Sequence, residues 1–304
     1  MNAIGNTPLI KLERLSEPHC AEIFVKYEGS NPTGSMKDRM ALSMIEGAER
    51  RGELKPGGTV LEYTGGSTGS SLAMVCAKKG YKALFVSSDA FAVEKLQTMK
   101  AFGADLEIIK SENNLINAKL IDSLVARAKE LRERPDIFWT DQFNNIDNRK
   151  AYHGMAREII DILGKDIDEF IMGVGTGGCF SGNSEIFKEM IPSIRCIAIE
   201  PLNVRSLSGG DTSGSHKLEG IGAGFIPAIC RIDLADEIMA VSDEDAYETA
   251  RKLARMEGIF GGTTSGANVW AAIQRARIIG QGKKIVTIIV DSGLKYLDGD
   301  LYKF

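Results

Sequence analysis

The chain has 304 residues, of which 43% are hydrophobic, and its 41 acidic and 37 basic side chains leave a formal charge of −4. That is enough apolar material for a full core in one large or two medium domains. The slight acidic excess, with no Lys/Arg block, excludes an electrostatic nucleic-acid footprint and implies no membrane or polyanion partner.

Read in chain order, a strand over 23–28 is broken by Pro32 and Gly34. Ser35 and Asp38 then give the S-x-x-D start of a helix whose apolar stripe is Met36, Met40, Met44 and Ile45. Strand and helix patterns alternate from there. The spacing predicts strands at 59–62, 82–87, 106–110, 138–140, 170–174 and 195–200, and helices at 70–79, 92–102, about 115–132, 149–163 and 182–190. Residues 201–225 are rich in glycine and lack periodicity, which predicts a long functional loop. A strand at 237–241, a helix capped by Ser242 and Asp245, the glycine-rich stretch 258–266, a helix to 279 and a strand at 285–290 complete the pattern. Such alternation is the signature of parallel α/β units.

The longest apolar runs are strand-length and the N-terminus lacks the basic and apolar regions of a signal peptide, so a cytoplasmic protein is expected. Five widely spaced cysteines without a C-x-x-C, and three scattered histidines, predict neither a disulfide framework nor a metal site. Cys76 and Cys196 stand in apolar surroundings and read as core residues.

Lys37 lies in the first turn of its predicted helix, where the positive end of the helix dipole disfavours the ammonium form. A lysine that loses its proton can attack a carbonyl and form a Schiff base. Two glycine loops occupy strand-to-helix turns further on. Gly173-Val174-Gly175-Thr176-Gly177-Gly178, followed by a helix and a strand ending in Glu200, satisfies the dinucleotide fingerprint G-x-G-x-x-G. Taken alone it indicates a nicotinamide dehydrogenase. Its physics is more general, because glycines let backbone N–H groups close on any phosphate at a helix N-terminus. The second loop, Thr64-Gly65-Gly66-Ser67-Thr68-Gly69, offers hydroxyls and N–H groups to another anion, such as a carboxylate.

With these segments in view, the chain resembles the cysteine synthase (O-acetylserine sulfhydrylase) and cystathionine β-synthase family of pyridoxal-phosphate enzymes, of the tryptophan-synthase-β fold type, fold type II. The resemblance spans almost the whole length. It is carried by Ile4 to Leu9, Asn31 to Arg39, Thr64 to Gly69, Ala101 to Ala104, Gln142-Phe143, Gly175 to Gly178, His216-Lys217, Gly220 to Gly224, Glu257 to Gly266, Ser292-Gly293 and Tyr296-Leu297. It implies an α/β fold of two lobes, each with a twisted, mostly parallel sheet flanked by helices. Residues 1–37 plus 146–304 would form the larger, phosphate-binding lobe and 38–145 a smaller, mobile lobe that binds the substrate carboxylate. Lys37 would carry pyridoxal 5'-phosphate. Gly175, Thr176, Gly177 and Gly178 would cradle its phosphate with Cys179, Gly220 would approach the ring, and Thr264 would face the pyridine nitrogen. Thr64, Gly65, Gly66, Ser67, Thr68 and Gln142 would face the substrate carboxylate, with Ser67 also near the cofactor hydroxyl. A homodimer is implied as well, while the end of the chain at Phe304 is expected to leave no room for an added regulatory module.

Three departures stand out. The family loop reads Thr-Ser-Gly-Asn-Thr-Gly, whereas this chain has Gly65 and Ser67. Cys179 replaces a threonine after the phosphate glycines, with Ser181 as a substitute donor. Asn145-Ile146-Asp147-Asn148 replaces Asn-Pro-Ala-Asn.

The cofactor would act as electron sink. A neutral Thr264 cannot protonate the ring nitrogen as a carboxylate would, so β-elimination is favoured over transamination, with Lys37 as the base for the α-proton. An aminoacrylate intermediate and attack at Cβ would complete a β-replacement. The expected activity is that of a transferase acting on an O-activated L-serine, O-acetylserine plus sulfide giving L-cysteine and acetate. The alternative is a β-lyase or β-replacement on cysteine or serine, releasing sulfide or forming cystathionine. A dehydrogenase leaves Lys37 and the 64–69 loop unexplained, and a non-catalytic binding module is opposed by the retained Lys37.

Overall fold

Apolar runs become short strands and the amphipathic segments between them become helices in the computed structural model, which describes residues 1–113 and 118–303. In chain order the first elements are β1 (Leu9–Lys11), β2 (Glu22–Tyr27), α1 (Lys37–Arg51), β3 (Thr59–Tyr63), α2 (Ser67–Lys79), β4 (Lys82–Ser88) and α3 (Val93–Ala101). Then come β5 (Asp105–Ile109), α4 (Ala118–Leu131), β6 (Ile137–Trp139), α5 (Ile146–Lys150), α6 (His153–Leu163), β7 (Glu169–Gly173) and α7 (Gly178–Met190). The last are β8 (Arg195–Pro201), β9 (Glu237–Val241), α8 (Asp243–Lys252), α9 (Thr263–Ile279) and β10 (Lys284–Ile289).

The chain divides into two units, Met1–Met36 with Arg149–Phe304, and Lys37–Asn148. In the first, six strands run in the order β1-β2-β10-β7-β8-β9; β1 pairs antiparallel with β2 and the other pairs are parallel. Every residue of β7 is buried, as expected of a parallel strand covered on both faces. Val25, Ile171, Ile197, Ile199 and Ile285 meet Ala267, Ala271 and Ala272 of α9 in its core. The second unit is a four-stranded parallel sheet in the order β5-β4-β3-β6. Leu61 and Val86 there pack with Leu120, Leu124, Ala128 and Leu131 of α4. Among the described residues no helix is long and apolar enough to cross a membrane.

The strand positions agree with the sequence reading to within a residue or two, apart from β1, a three-residue edge strand too short to show a period. The helix expected at 149–163 is instead two, α5 and α6. Tyr152 causes the break: its ring is 1% exposed and its hydroxyl donates to Met36 O at 3.4 Å, so the chain turns to bury it. Both helices after glycine loops start earlier than predicted, α2 at Ser67 and α7 at Gly178. Low-propensity loop residues therefore form the first helical turns. The segment between Leu202 and Arg231 has no regular element, as predicted for 201–225. The predicted start of α4 near 115 lies outside the described residues. Cys76 and Cys196 are core residues, and burial pushes their thiols up to about 12 and about 11.

A buried ion pair ties α9 to the sheet. Arg275 donates to both oxygens of Glu169, at 3.0 and 2.5 Å, and the two residues are 5% and 1% exposed. Removing Arg275 leaves buried Glu169 with the more distant Arg195 Nη1, 3.9 Å away and on an exposed side chain. Arg275→Ala is expected to lower stability by about 3 kcal/mol in urea unfolding, and a loss within measurement error would mean that Glu169 is satisfied without it.

Candidate active site

Lys37 opens α1 and is half-buried, flanked by Asp38 and Arg39, which are both buried. The loop leading to it is fixed on the first unit's sheet. Met36 N donates to Val290 O at 2.9 Å, Ser292 N donates to Gly34 O at 2.9 Å, and Ser35 bridges Asp291. Upstream, buried Glu28 accepts from Thr7 Oγ1 at 2.6 Å and from Asn31 Nδ2 at 2.8 Å, while Asn31 Oδ1 accepts from Gly5 N at 3.0 Å. The Ile4 to Leu9 segment therefore braces the loop that presents Lys37.

In the first unit, β7 runs into the turn 174–177 and then α7. A Cβ on Gly175 would fall 2.0 Å from Gly220 O, so this close approach of two backbones requires glycine. Gly177, at φ +81°, is the residue before α7, and no side chain caps the helix. Its first-turn N–H groups face the turn, where Thr176 Oγ1 accepts from Gly178 N at 3.4 Å. Cys179 is buried, with Sγ 3.5 Å from Asn183 Nδ2. Ser181 is turned elsewhere: its Oγ accepts from Arg231 N at 2.8 Å.

The 216–222 stretch is tied to the same place. His216 Nδ1 accepts from Leu218 N, so its Nε2 carries the proton and donates to Gly222 O at 3.2 Å. Thr263 Oγ1 accepts from Glu219 N at 3.0 Å, and Thr264 Oγ1 donates to Glu219 O at 2.7 Å. Gly175 to Cys179, Gly220 and Thr264 are thus gathered by the ends of β7, α7 and α9.

The second unit gathers the other set. Between β3 and α2, Thr64 Oγ1 accepts from Gly66 N at 3.3 Å, and α2 starts after Gly66 without a side-chain cap. Thr68 Oγ1 donates to Gln142 Oε1 at 2.9 Å, bringing together two residues 74 positions apart. Thr64, Thr68 and Gln142 are all nearly buried. Gly65 lies directly beneath Phe91: a Cβ there would sit 2.1 Å from the ring. The serine found at this position in the resembled loop has no room here, because an aromatic ring fills its place.

Sequence reasoning passed over one residue of this neighbourhood, Glu62. It is fully buried and accepts from Tyr63 N, Trp139 Nε1, Thr140 Oγ1 and Gln142 N. Its only sequence signal is a lone charge inside the apolar strand β3. Burial pushes its carboxyl up to about 7, against the four donors, which favour the charge.

A family model of pyridoxal-phosphate dependent enzymes matches residues 1–291. The chain belongs to that family, within its cysteine synthase branch, and pyridoxal phosphate is its cofactor. The cysteine synthase of Staphylococcus aureus strain N315 is 43% identical over 303 residues, covering 99% of this chain and 96% of the relative. Among solved structures, the cysteine synthase of Entamoeba histolytica superposes with a TM-score of 0.94 at 35% identity, over 100% of this chain and 90% of its own. A hydrogen sulfide-producing enzyme of Fusobacterium nucleatum gives 0.91 at 40% identity, over 97% and 96%.

Two outcomes follow from the geometry of the second unit. Gly65→Ser is expected to lower the unfolding temperature by several degrees, since overpacking costs about 1–3 kcal/mol, and Phe91→Ala should recover most of that loss. No recovery in the double variant would place the cost elsewhere. The second outcome concerns pH. Folded Glu62 holds its proton more tightly than at the ordinary 4.5, so its stabilising contribution is complete below 4.5 and is lost as pH rises through about 7. Relative to Glu62→Gln, wild type should lose about 3 kcal/mol across that window in denaturant unfolding. A flat difference would show that folding leaves the titration of Glu62 unchanged.

Proposed function

We propose that this enzyme catalyses β-replacement on an O-activated L-serine, with O-acetylserine and sulfide giving L-cysteine and acetate. The observation that carries the reading is the coexistence of three groups: an amine at the start of α1, an uncapped helix N-terminus behind glycines at α7, and a second uncapped, hydroxyl-bearing one at α2. Its sequence and structural relatives named as cysteine synthases support the same chemistry. A cytoplasmic homodimer comes with the resemblance.

Bound pyridoxal phosphate supplies an electron sink for charge developing at the α-carbon of an amino acid. The first unit's Gly175, Thr176, Gly177 and Gly178 would hold its phosphate. The donor set suits a phosphate, being backbone N–H groups at a helix N-terminus with the Thr176 hydroxyl beside them. Cys179 adds little as a donor, and Ser181, engaged with Arg231 N, is a poor substitute for the missing threonine. Gly220 would let the backbone approach the flat ring. Thr264 would redirect its proton from Glu219 O to the ring nitrogen, a neutral donor that leaves that nitrogen less charged than a carboxylate would.

Lys37 would hold the cofactor through its amine and, once displaced by substrate, take the α-proton. The second unit's Thr64, Ser67 and Thr68, the N–H groups of Gly65 and Gly66, and Gln142 would bind and orient the substrate carboxylate. A second reading, cleavage or replacement on cysteine or serine with release of sulfide or formation of cystathionine, is favoured by Phe91 standing over Gly65, which alters the wall of this loop. The structural relative named as hydrogen sulfide-producing supports it too.

Lys37→Ala should remove the visible absorbance of the purified protein and lower turnover by about 10³-fold or more, with the fold intact by circular dichroism. Borohydride treatment of wild type should leave the cofactor on the peptide containing Lys37. Incubated with O-acetylserine and sulfide, wild type should form cysteine, identified by mass. Sulfide release from cysteine with no reaction of O-acetylserine would replace this assignment by the second reading.

A further inference from the structure

Glu62 sits on β3 between Leu61 and Tyr63, away from solvent, and every hydrogen bond to it comes from a donor. Oε1 accepts from Tyr63 N at 2.9 Å and Trp139 Nε1 at 3.2 Å; Oε2 accepts from Thr140 Oγ1 at 2.7 Å and Gln142 N at 3.0 Å. Three of the four are N–H groups that cannot accept in return. A carboxyl group satisfies the whole set in either charge state, because Thr140 Oγ1 can turn its proton to Leu61 O at 3.3 Å and accept from a protonated Oε2, whereas an amide in its place would set N–H against N–H.

Three of these donors belong to one short stretch, Trp139 to Gln142, which leaves β6 toward α5. Asp141, in the middle of that stretch, has φ +46°, a conformation that a non-glycine residue adopts only at a cost. The residues on either side of it, Thr140 and Gln142, are bound to the same oxygen of Glu62. That grip holds the turn in its strained shape. Further bonds continue the chain outward: Asn145 Nδ2 donates to Thr140 O at 2.8 Å and Asn148 Nδ2 to Gln142 O at 2.7 Å, and the Gln142 side chain accepts from Thr68 at 2.9 Å.

We propose that Glu62 is a positioning residue for the amino-acid substrate: by fixing the Trp139 to Gln142 turn it keeps the Gln142 side chain paired with Thr68 where the substrate carboxylate is received. The inference rests on the reading above that Thr68 and Gln142 bind that carboxylate. Glu62 touches neither substrate nor cofactor. Its effect is on how ordered the cradle is before substrate arrives, so it acts on binding rather than on bond breaking.

The test compares Glu62→Gln with Gln142→Ala and Thr68→Ala, reading KM and kcat with O-acetylserine, the visible absorbance of the bound cofactor, and amide hydrogen exchange over residues 140–143. Glu62→Gln is expected to raise KM about tenfold, the scale of one hydrogen bond to a charged group. The kcat at saturation and the absorbance should hold, and exchange over 140–143 should quicken. If Glu62→Gln does not fold, Thr140→Val removes one donor from Oε2 with little change of shape and should raise KM in the same direction. An unchanged KM in the folded variant, or a fall in kcat and thermal stability without a rise in KM, overturns the proposal. If Gln142→Ala and Thr68→Ala raise KM while Glu62→Gln and Thr140→Val do not, only the role of Glu62 falls. If Gln142→Ala and Thr68→Ala leave KM unchanged, the carboxylate reading falls and takes the proposal with it.

Discussion

Backbone N–H groups at the starts of helices are the constraint around which the candidate site is built. Every helix begins with donors that have no intrahelical partner, and most proteins cover them with a serine, threonine or acidic side chain. α8 follows that rule, with Ser242 Oγ accepting from Asp245 N. No side chain of the preceding residue caps α3 or α6, nor α2, α7 and α9, but these last three differ in beginning after a glycine, Gly66, Gly177 and Gly262. These are the helices whose first turns carry Thr68, Gly178 and Thr264. A glycine at the start of a helix leaves room for an anion or polar ligand atom beside the first-turn donors, which is why the proposed reading sets a phosphate at one of these starts and an amino-acid carboxylate at another.

Open helix ends need rigid supports, and the sheets supply them. In the first unit, β7 is buried throughout and its last residue, Gly173, donates through N–H to Asn268 Oδ1 at 2.9 Å, so the turn after it leaves from a fixed point. The α9 helix that provides Asn268 also provides Thr263 and Thr264, and is held to β7 at its far end by Arg275. The N-terminal segment is anchored in a comparable way. Lys26, 1% exposed, donates to Thr7 O and pairs with Glu158, while Glu28 takes Thr7 and Asn31. A buried lysine paired with Glu158 and a buried glutamate held by two hydrogen bonds thus fix the approach to Lys37. The Lys26–Glu158 pair contributes little net stability but disfavours other arrangements of the loop.

The sequence makes some of this legible and hides the rest for physical reasons. Parallel strands show as continuous apolar runs because both faces are buried, so their positions are readable to within about two residues. Glycine loops at strand-to-helix turns are equally visible, since few other residues permit such close backbone approaches. The first helical turns at Ser67 and Gly178 are not, because glycine, serine and threonine have poor helix propensity and the turn forms only in tertiary context. Nor is the break at Tyr152, which depends on where one ring can be buried. Glu28 and Glu62 carry no periodic signal, and the donors that give them meaning come from distant parts of the chain.

The stretch 173–178 shows how far a motif alone can mislead. Together with Glu200 it matches a dinucleotide fingerprint, in which the acidic residue would bind a ribose. In the structure Glu200 is 1% exposed and already accepts from Leu207 N and Ser208 Oγ, so its carboxylate holds the 202–231 segment instead of facing a ligand. Once that acid is spoken for, what remains of the motif is the part common to every phosphate site, glycines at the start of a helix. In the proposed reading, the phosphate carrier is told apart by groups the fingerprint does not include, the amine of Lys37 and the hydroxyls of the 64–68 loop. A dinucleotide has no use for either, whereas a carbonyl cofactor that reacts with amino acids needs an amine to hold it and a cradle for the substrate carboxylate.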